Sequence, residues 1–223
     1  MVVANWRTRP RAIGGEWLCF RQTSPEWPPL YHNAGVPRPD QESGRWHRQG
    51  EAYAQYLALS ALGAWAECAR YYSLRSTRQA REMRRNLWLV FVRETDIADL
   101  SSFDRYDACG LDPATAVGDH VMSQDLADHL RESGFRGILS PSAALPGVVN
   151  LTIFGERYEQ VLPTDLAAWR NPDVGAWLPV QPVVEEGAVP TRLCTETVFR
   201  TKKHLSYREW MAAHGRDPGP RPP

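Results

Sequence analysis

Residues 44–70 read GRWHRQGEAYAQYLALSALGAWAECAR, and the rest of the chain is read outward from this stretch. It opens on a turn carrying Arg45, Trp46 and His47. Tyr53–Ala58 follows, short, aromatic and bounded by Gly50 and Ser60, which is the pattern of a strand. A helix is predicted from Ala61 to Tyr72, since its alanines and leucine have high helix propensity and Ser60 can accept a free amide of the first turn as N-cap. Leu62, Ala66 and Ala69 fall on one face of this helix, and Glu67 lies beside that face. A carboxylate on a largely apolar helix is costly to bury unless it has a partner or a task. The arginine turn just upstream is a suitable partner, so the stretch reads as half of an active site.

Composition narrows the choice. A chain of 223 residues can hold one substantial core, or a core with a decorated C-terminal part. Lys plus Arg and Asp plus Glu both number 26; the zero formal charge argues against a general nucleic-acid binder while leaving room for a local basic patch. Nine tryptophans are many for this length, which places some of them at a site or a partner interface. Cys19, Cys68, Cys109 and Cys194 are widely separated, with no metal-ligand spacing. Cys68 on its apolar helix reads as a buried small hydrophobe. The sequence shows no signal peptide and no apolar run of membrane-spanning length, so a cytoplasmic protein with reduced thiols is expected.

Along the chain, Glu16–Arg21 reads as a strand ending on an arginine. Gln22–Ser43 is proline-rich and cannot be a regular helix; it is either a wall of the site or a surface insertion. Arg75, Arg78, Arg81 and Arg85 are expected to share a helix face, read as solvated in preference to nucleic-acid binding, with an acidic partner as a third option. Asn86–Val92 is a central strand. Asp96–Gly118 is polar and irregular, with room for short helical turns. Ser123 is predicted to cap a helix running through His129 to Glu132 and ended by Gly134. Further strands are expected at Gly137–Ser140, Val148–Phe154, Arg157–Leu162 and Leu193–Arg200, an extended stretch at Pro172–Val189, and a last helix at Tyr207–His214 capped by Ser206.

Arg21, Arg45, Tyr56, Glu67 and Ser142 make a chemically coherent set. Guanidiniums suit a pyrophosphate. A tyrosine ring can stack on a flat heterocycle. A carboxylate can hold a ribose hydroxyl, orient a nucleophile or stabilise a developing oxocarbenium cation. His47 shares the turn with Arg45 and suits either a phosphate contact or a structural hydrogen bond. The set fits cleavage of an N-glycosidic bond in a dinucleotide such as NAD. Spacing alone leads no further than an α+β domain with the marks of an enzyme. The chain contains no G-x-G-x-x-G, Walker loop or H-E-x-x-H motif.

Phe20-Arg21, GRWH at 44–47 and YLALSALGAWAE at 56–67 resemble the RES domain family. A second block, SQDLADHLRESGFRGILSPSAALPGVVNLTIF at 123–154, is similar to that family's helix, Gly137-Ile138, Pro141-Ser142 turn, Gly147, and strand with Asn150-Leu151 and Phe154. The resemblance covers about residues 17–162. It implies an ADP-ribosyltransferase-like α+β fold with mixed sheets and flanking helices. It also implies a growth-arresting toxin that degrades NAD, with phosphate or water as acceptor and no metal. It places the family's arginine at Arg21 or Arg45, its tyrosine at Tyr56, its glutamate at Glu67 and its serine at Ser142. On this reading Glu67, Arg45 and Tyr56 are catalytic, and Arg21, Arg45, His47, Tyr56 and Ser142 hold the dinucleotide. The expected partner is an Xre-type antitoxin, with nucleic acid reached only through it and no membrane. The chain departs from the pattern after Ser142, where Ala143 and Ala144 replace an expected arginine. Trp65 stands where arginine-directed ADP-ribosyltransferases carry the first glutamate of a Glu-x-Glu pair. A protein-modifying transferase and a non-catalytic binding module are the alternatives. The expected organisation is a weakly ordered 1–15, a catalytic domain at 16–162, an extension packed on it at 163–214, and a disordered tail at 215–223.

Overall fold

The computed structural model describes residues 6–27, 29–30, 41–51, 53–155, 158–161, 177–200 and 203–216. Its centre is a mixed sheet of seven strands: β1 (Ala12–Thr23), β2 (Ala54–Ala58), β3 (Arg84–Asp99), β4 (Gly137–Pro141), β5 (Val149–Phe154), β6 (Tyr158–Val161) and β7 (Trp177–Ala188). Pairs β3–β4 and β6–β7 are parallel and the others antiparallel. The order is β1-β2-β5-β4-β3-β7-β6, and β1 also pairs with β3. That extra pairing closes five strands into a ring, β1-β2-β5-β4-β3. One core cluster is built from residues of these strands, including Cys19, Leu57, Val90, Val92, Ile97, Leu139, Leu151 and Ile153.

The apolar run at 86–92 forms the sheet's backbone, as expected, but β3 is sixteen residues long and runs on into the polar segment at 96–99. It reaches that far because Ile97, Ala98 and Asp99 pair with both β1 and β4 or the chain beside them. After it come α3 (Phe103–Ala108), a 3-10 turn at Pro113–Ala116, and α4 (His120–Glu132). The start of α4 differs from the sequence reading. Asp119 is the N-cap, and Ser123 lies one turn inside, fully buried, its hydroxyl donating to Thr115 O at 2.7 Å. A buried serine with a tertiary acceptor has no need to cap.

Other local expectations yield to tertiary contacts. Helix α1 (Ala61–Tyr71) forms where predicted, capped by Ser60, whose hydroxyl accepts from Gly63 N at 3.0 Å. The arginines after it do not share a helix face. Arg75 precedes α2 (Thr77–Glu82), Arg78 and Arg81 lie exposed on it, and Arg85 is buried on β3, donating to Gln22 Oε1 at 2.7 Å. The expected strand at 193–200 is replaced by a helical turn, α5 (Leu193–Glu196), because Leu193 is drawn completely into the core beside α1. The last helix, α6 (Leu205–Ala213), begins at His204, whose ring accepts from Tyr207 N at 3.2 Å, so Ser206 is not its cap.

Residues 177–188 enter the main sheet as β7 beside β3. The N-terminal region is fixed from Trp6, which stacks on Phe135, and Arg7 N donates to Cys109 O at 2.8 Å. Half of the proline-rich stretch, at 28 and 31–40, lies outside the described residues, as do 163–176 and the tail from 217.

Strand β4 packs so closely that Gly137 has no room for a side chain: a Cβ there would lie 2.5 Å from the backbone oxygen of Thr152. Backbone in a paired strand cannot retreat. Gly137→Ala is therefore expected to destabilise the protein by about 1–3 kcal/mol in urea unfolding, without changing the unfolding slope.

Candidate active site

The loop after β4 and the middle of α1 meet at Glu67. Its Oε1 accepts from Ser142 Oγ at 2.7 Å and from Asn150 Nδ2 at 2.7 Å. Both bonds go to one oxygen, which leaves Oε2 without a hydrogen-bond donor among the described residues, and the residue is partly exposed. Ser142 is fully buried and oriented in turn: its oxygen accepts from Ala144 N at 3.1 Å and Leu145 N at 3.2 Å. With both lone pairs engaged, the hydroxyl proton points at Glu67. Ser142 O accepts from His204 Nε2 at 2.9 Å. The His204 tautomer follows from its other nitrogen, Nδ1, which accepts from Tyr207 N and therefore carries no proton. Burial lowers the pKa of His204, so the ring is neutral.

Helix α1 can approach the Ser142 loop because Gly63 faces it. A Cβ on Gly63 would stand 2.7 Å from Val148 Cγ1. Arg70, one turn after Glu67, donates to Ala143 O at 2.8 Å and to Val198 O. A guanidinium thus stands at the loop that lacks its expected arginine, supplied from α1.

The GRWH turn forms the second part of the site. Trp46 N donates to Tyr56 Oη at 2.8 Å, and His47 Nδ1 lies 2.8 Å from the same oxygen. Gly44 is needed here, since a Cβ would fall 2.5 Å from Tyr56 Oη. Helix α4 clamps the turn from outside. Gln124 Nε2 donates to Gly44 O at 2.8 Å and His47 O at 3.2 Å, Arg131 donates to Trp46 O, and Arg48 pairs with Asp125 and Asp128. Arg45 donates to Gly118 O at 3.0 Å and Ser123 Oγ at 3.3 Å. Burial lowers its pKa, the nearby Glu67 opposes that shift, and Arg70 adds to it.

Tyr56 and Asn150 lie on one face of the sheet, because Tyr56 pairs with Thr152 and Ala58 with Asn150. Burial raises the Tyr56 pKa, so it stays a phenol at neutral pH. Arg21 is placed differently. It alternates with Phe20 along β1, falls on the Cys19 side, and donates to Gln55 Oε1 at 2.9 Å. Burial lowers its pKa to about 10, opposed by Tyr56, and it remains a cation at neutral pH. The two arginines expected on one pyrophosphate thus approach Tyr56 from different sides.

His47 does not have the properties of a phosphate ligand. It is 2% exposed, and burial pushes its pKa down to about 4, so it is neutral and braces Tyr56. The sequence reading does not single out Asn150 and Arg70 as site residues. The signal for Asn150 is an amide side chain in a strand whose other residues are Val, Leu, Thr, Ile and Phe; Arg70 gives none, since it sits among many arginines. Among the described residues no group of three or more His, Cys, Asp or Glu is arranged to hold a metal, and no helix is long and apolar enough to cross a membrane.

This fold is that of a known class. The RES domain family matches residues 13–172, and the chain belongs to that family. The chain is 30% identical over 116 residues to a Mycobacterium tuberculosis protein named probable NAD(+) phosphorylase. That match covers 52% of this chain and 55% of the relative, so it spans about half the relative's length. A chain in the crystal structure of the M. tuberculosis MbcT–MbcA toxin–antitoxin complex shares the fold, with TM-score 0.53 and 24% identity over 65% of this chain and 76% of that one.

The buried histidine makes stability depend on pH. The His47 pKa is about 4 in the folded protein, against an ordinary value of 6.5, so between these values the unfolded chain binds a proton that the folded protein refuses. Its contribution is full above pH 6.5 and is lost as the pH falls to 4, by on the order of 3 kcal/mol. Urea unfolding at pH 7 and pH 4.5 is expected to show a smaller acid loss in His47→Gln than in the parent protein.

Proposed function

We propose that the chain cleaves NAD at the bond between nicotinamide and ribose, and that it is the toxin of a toxin–antitoxin pair. The observation that carries this reading is the Glu67 carboxylate. One of its oxygens is fixed by Ser142 and Asn150, and the other is left to a ligand. As the C1′–N1 bond breaks, its electron pair neutralises the pyridinium nitrogen and positive charge develops on the ribose. A preoriented carboxylate stabilises that charge in the transition state more than in the ground state. Nicotinamide leaves neutral, so the step needs no general acid. Phosphate then adds at C1′ to give a sugar phosphate, or water adds with loss of a proton.

In this reading Tyr56 supplies the ring for nicotinamide and Arg45 binds the pyrophosphate or an acceptor phosphate. Arg21 contributes positive potential from the Gln55 side. Ser142 acts through Glu67, since it is buried and its proton is already committed there. Arg70 holds the Ser142 loop. The name of the M. tuberculosis relative, probable NAD(+) phosphorylase, supports phosphate as the acceptor, and the MbcT–MbcA complex supports an antitoxin as partner. An Xre-type antitoxin covering the cleft and a cytoplasmic location complete the proposal.

The test is nicotinamide release from NAD by the purified protein, with and without inorganic phosphate. Release is expected to rise with phosphate and to fall by roughly 10²–10³-fold in Glu67→Gln, the range for loss of one preorganised electrostatic group. Release that persists in Glu67→Gln would remove the carboxylate from the mechanism. Ser142→Ala is expected to lower kcat more than it raises KM, because it loosens Glu67 without touching substrate.

A further inference from the structure

The serine loop takes its support from a part of the chain beyond the family match. Ser142, Ala143, Ala144 and Leu145 are all buried, so each backbone group there needs a partner. The amides of Ala144 and Leu145 turn inward to Ser142 Oγ, and the Ser142 amide donates to Val148 O at 2.8 Å. Three successive carbonyls turn the other way. Ser142 O accepts from His204 Nε2 at 2.9 Å, Ala143 O from Arg70 at 2.8 Å, and Ala144 O from Val198 N at 2.8 Å. Arg70 also donates to Val198 O, so all three carbonyls are tied, directly or through Arg70, to Val198 and His204. Both residues lie after residue 172, where the match to the RES family ends.

Of these contacts, the one from His204 bears most directly on Glu67, because it goes to the residue whose hydroxyl orients the carboxylate. The ring is buried and meets Phe103 edge-on, with centroids 5.8 Å apart, while its Nδ1 accepts from Tyr207 N at 3.2 Å. Helix α6, which His204 caps, is fastened to α3. Buried Trp210 donates from Nε1 to Asp104 Oδ1 at 2.7 Å, and the Tyr207 ring lies 5.4 Å from that of Phe103. A ring with both nitrogens engaged, on a docked helix, has one direction for its Nε2–H. Loss of that donor leaves a buried carbonyl unpaired, which costs more than the bond itself contributes.

We propose that His204 is a positioning residue, which fixes the backbone of Ser142 and, through the serine hydroxyl, the direction of Glu67. The C-terminal helix is then part of the site, although it touches no reacting atom. The consequence for catalysis rests on the function proposed above; the effect on the serine loop does not.

Two substitutions separate the two bonds of the ring. Glutamine places an amide N–H where Nε2 stands and offers no acceptor at the Nδ1 position, so it keeps the bond to Ser142 O and loses the cap. Asparagine places an acceptor where Nδ1 stands and does not reach Ser142 O, so it keeps the cap and loses the positioning bond. Hydrogen exchange at the Ala144 and Leu145 amides of the full chain, read by NMR, reports on the loop without turnover. It is expected to quicken by about tenfold or more in His204→Asn and to stay near the parent rate in His204→Gln. In nicotinamide release from NAD, His204→Asn is expected to lower kcat by about tenfold with little change in KM, and to add no further loss in a Ser142→Ala background. His204→Gln should keep kcat within about threefold of the parent while its thermal transition falls. A histidine that serves only as a helix cap gives the reverse order, with His204→Gln the more impaired. That order, or unchanged exchange in His204→Asn, overturns the proposal. A parent protein that releases no nicotinamide overturns the function proposed above instead, and the exchange rates still decide whether His204 positions the loop.

Discussion

The hydrogen bond from Ser142 to Glu67 joins two parts of the chain 75 residues apart, and the site depends on it. It requires helix α1 to lie against the loop after β4, which the absence of a side chain at Gly63 permits. It requires the serine proton to have one direction, which two backbone amides enforce by occupying the oxygen's lone pairs. It also requires Asn150 to come from β5, one strand further on, to the same carboxylate oxygen. Closure of the five strands into a ring brings β2, β4 and β5 side by side, and so makes the meeting geometrically possible.

The aromatic side of the site rests on a different kind of support. Tyr56 is held through its hydroxyl by a backbone amide and a buried imidazole, both from the GRWH turn. That turn is itself held by Gln124, Arg131 and the Arg48 ion pairs from α4. Such supports keep a ring and a carboxylate in place before any ligand arrives, which is the arrangement that favours a transition state over a ground state. A neutral, buried His47 suits this supporting role, because a charged ring would have to be desolvated.

Much of the fold is legible in the chain. The apolar run at 86–92, the serine-capped helix carrying Glu67, and the strands at 137–140 and 148–154 follow from periodicity and capping, and all are present. Departures cluster where a residue's tertiary partner outweighs its local preference. Ser123 and Ser206 look like caps, yet Ser123 is used to fix Arg45, and His204 takes the capping role at α6. The segment after Leu193 has strand-like residues, but burial of Leu193 against α1 folds it into a helical turn. Arg85 looks like one more surface arginine and is buried at the sheet, bonded to Gln22.

The sequence by itself determined the inventory: a carboxylate on an apolar helix, an arginine and tyrosine just before it, a serine in a glycine-bounded loop, and the two blocks that mark the RES family. Those are properties of residue type and short spacing. Only the tertiary structure decided which of them act on one another. It paired Ser142 with Glu67, enlisted Asn150 and Arg70, withdrew His47 into the core, and sent Arg21 to Gln55 on another face. The reason is strand alternation and register. A side chain's face follows from its place in the ladder, and contacts between distant elements follow from how the ring closes, neither of which is encoded in any short stretch.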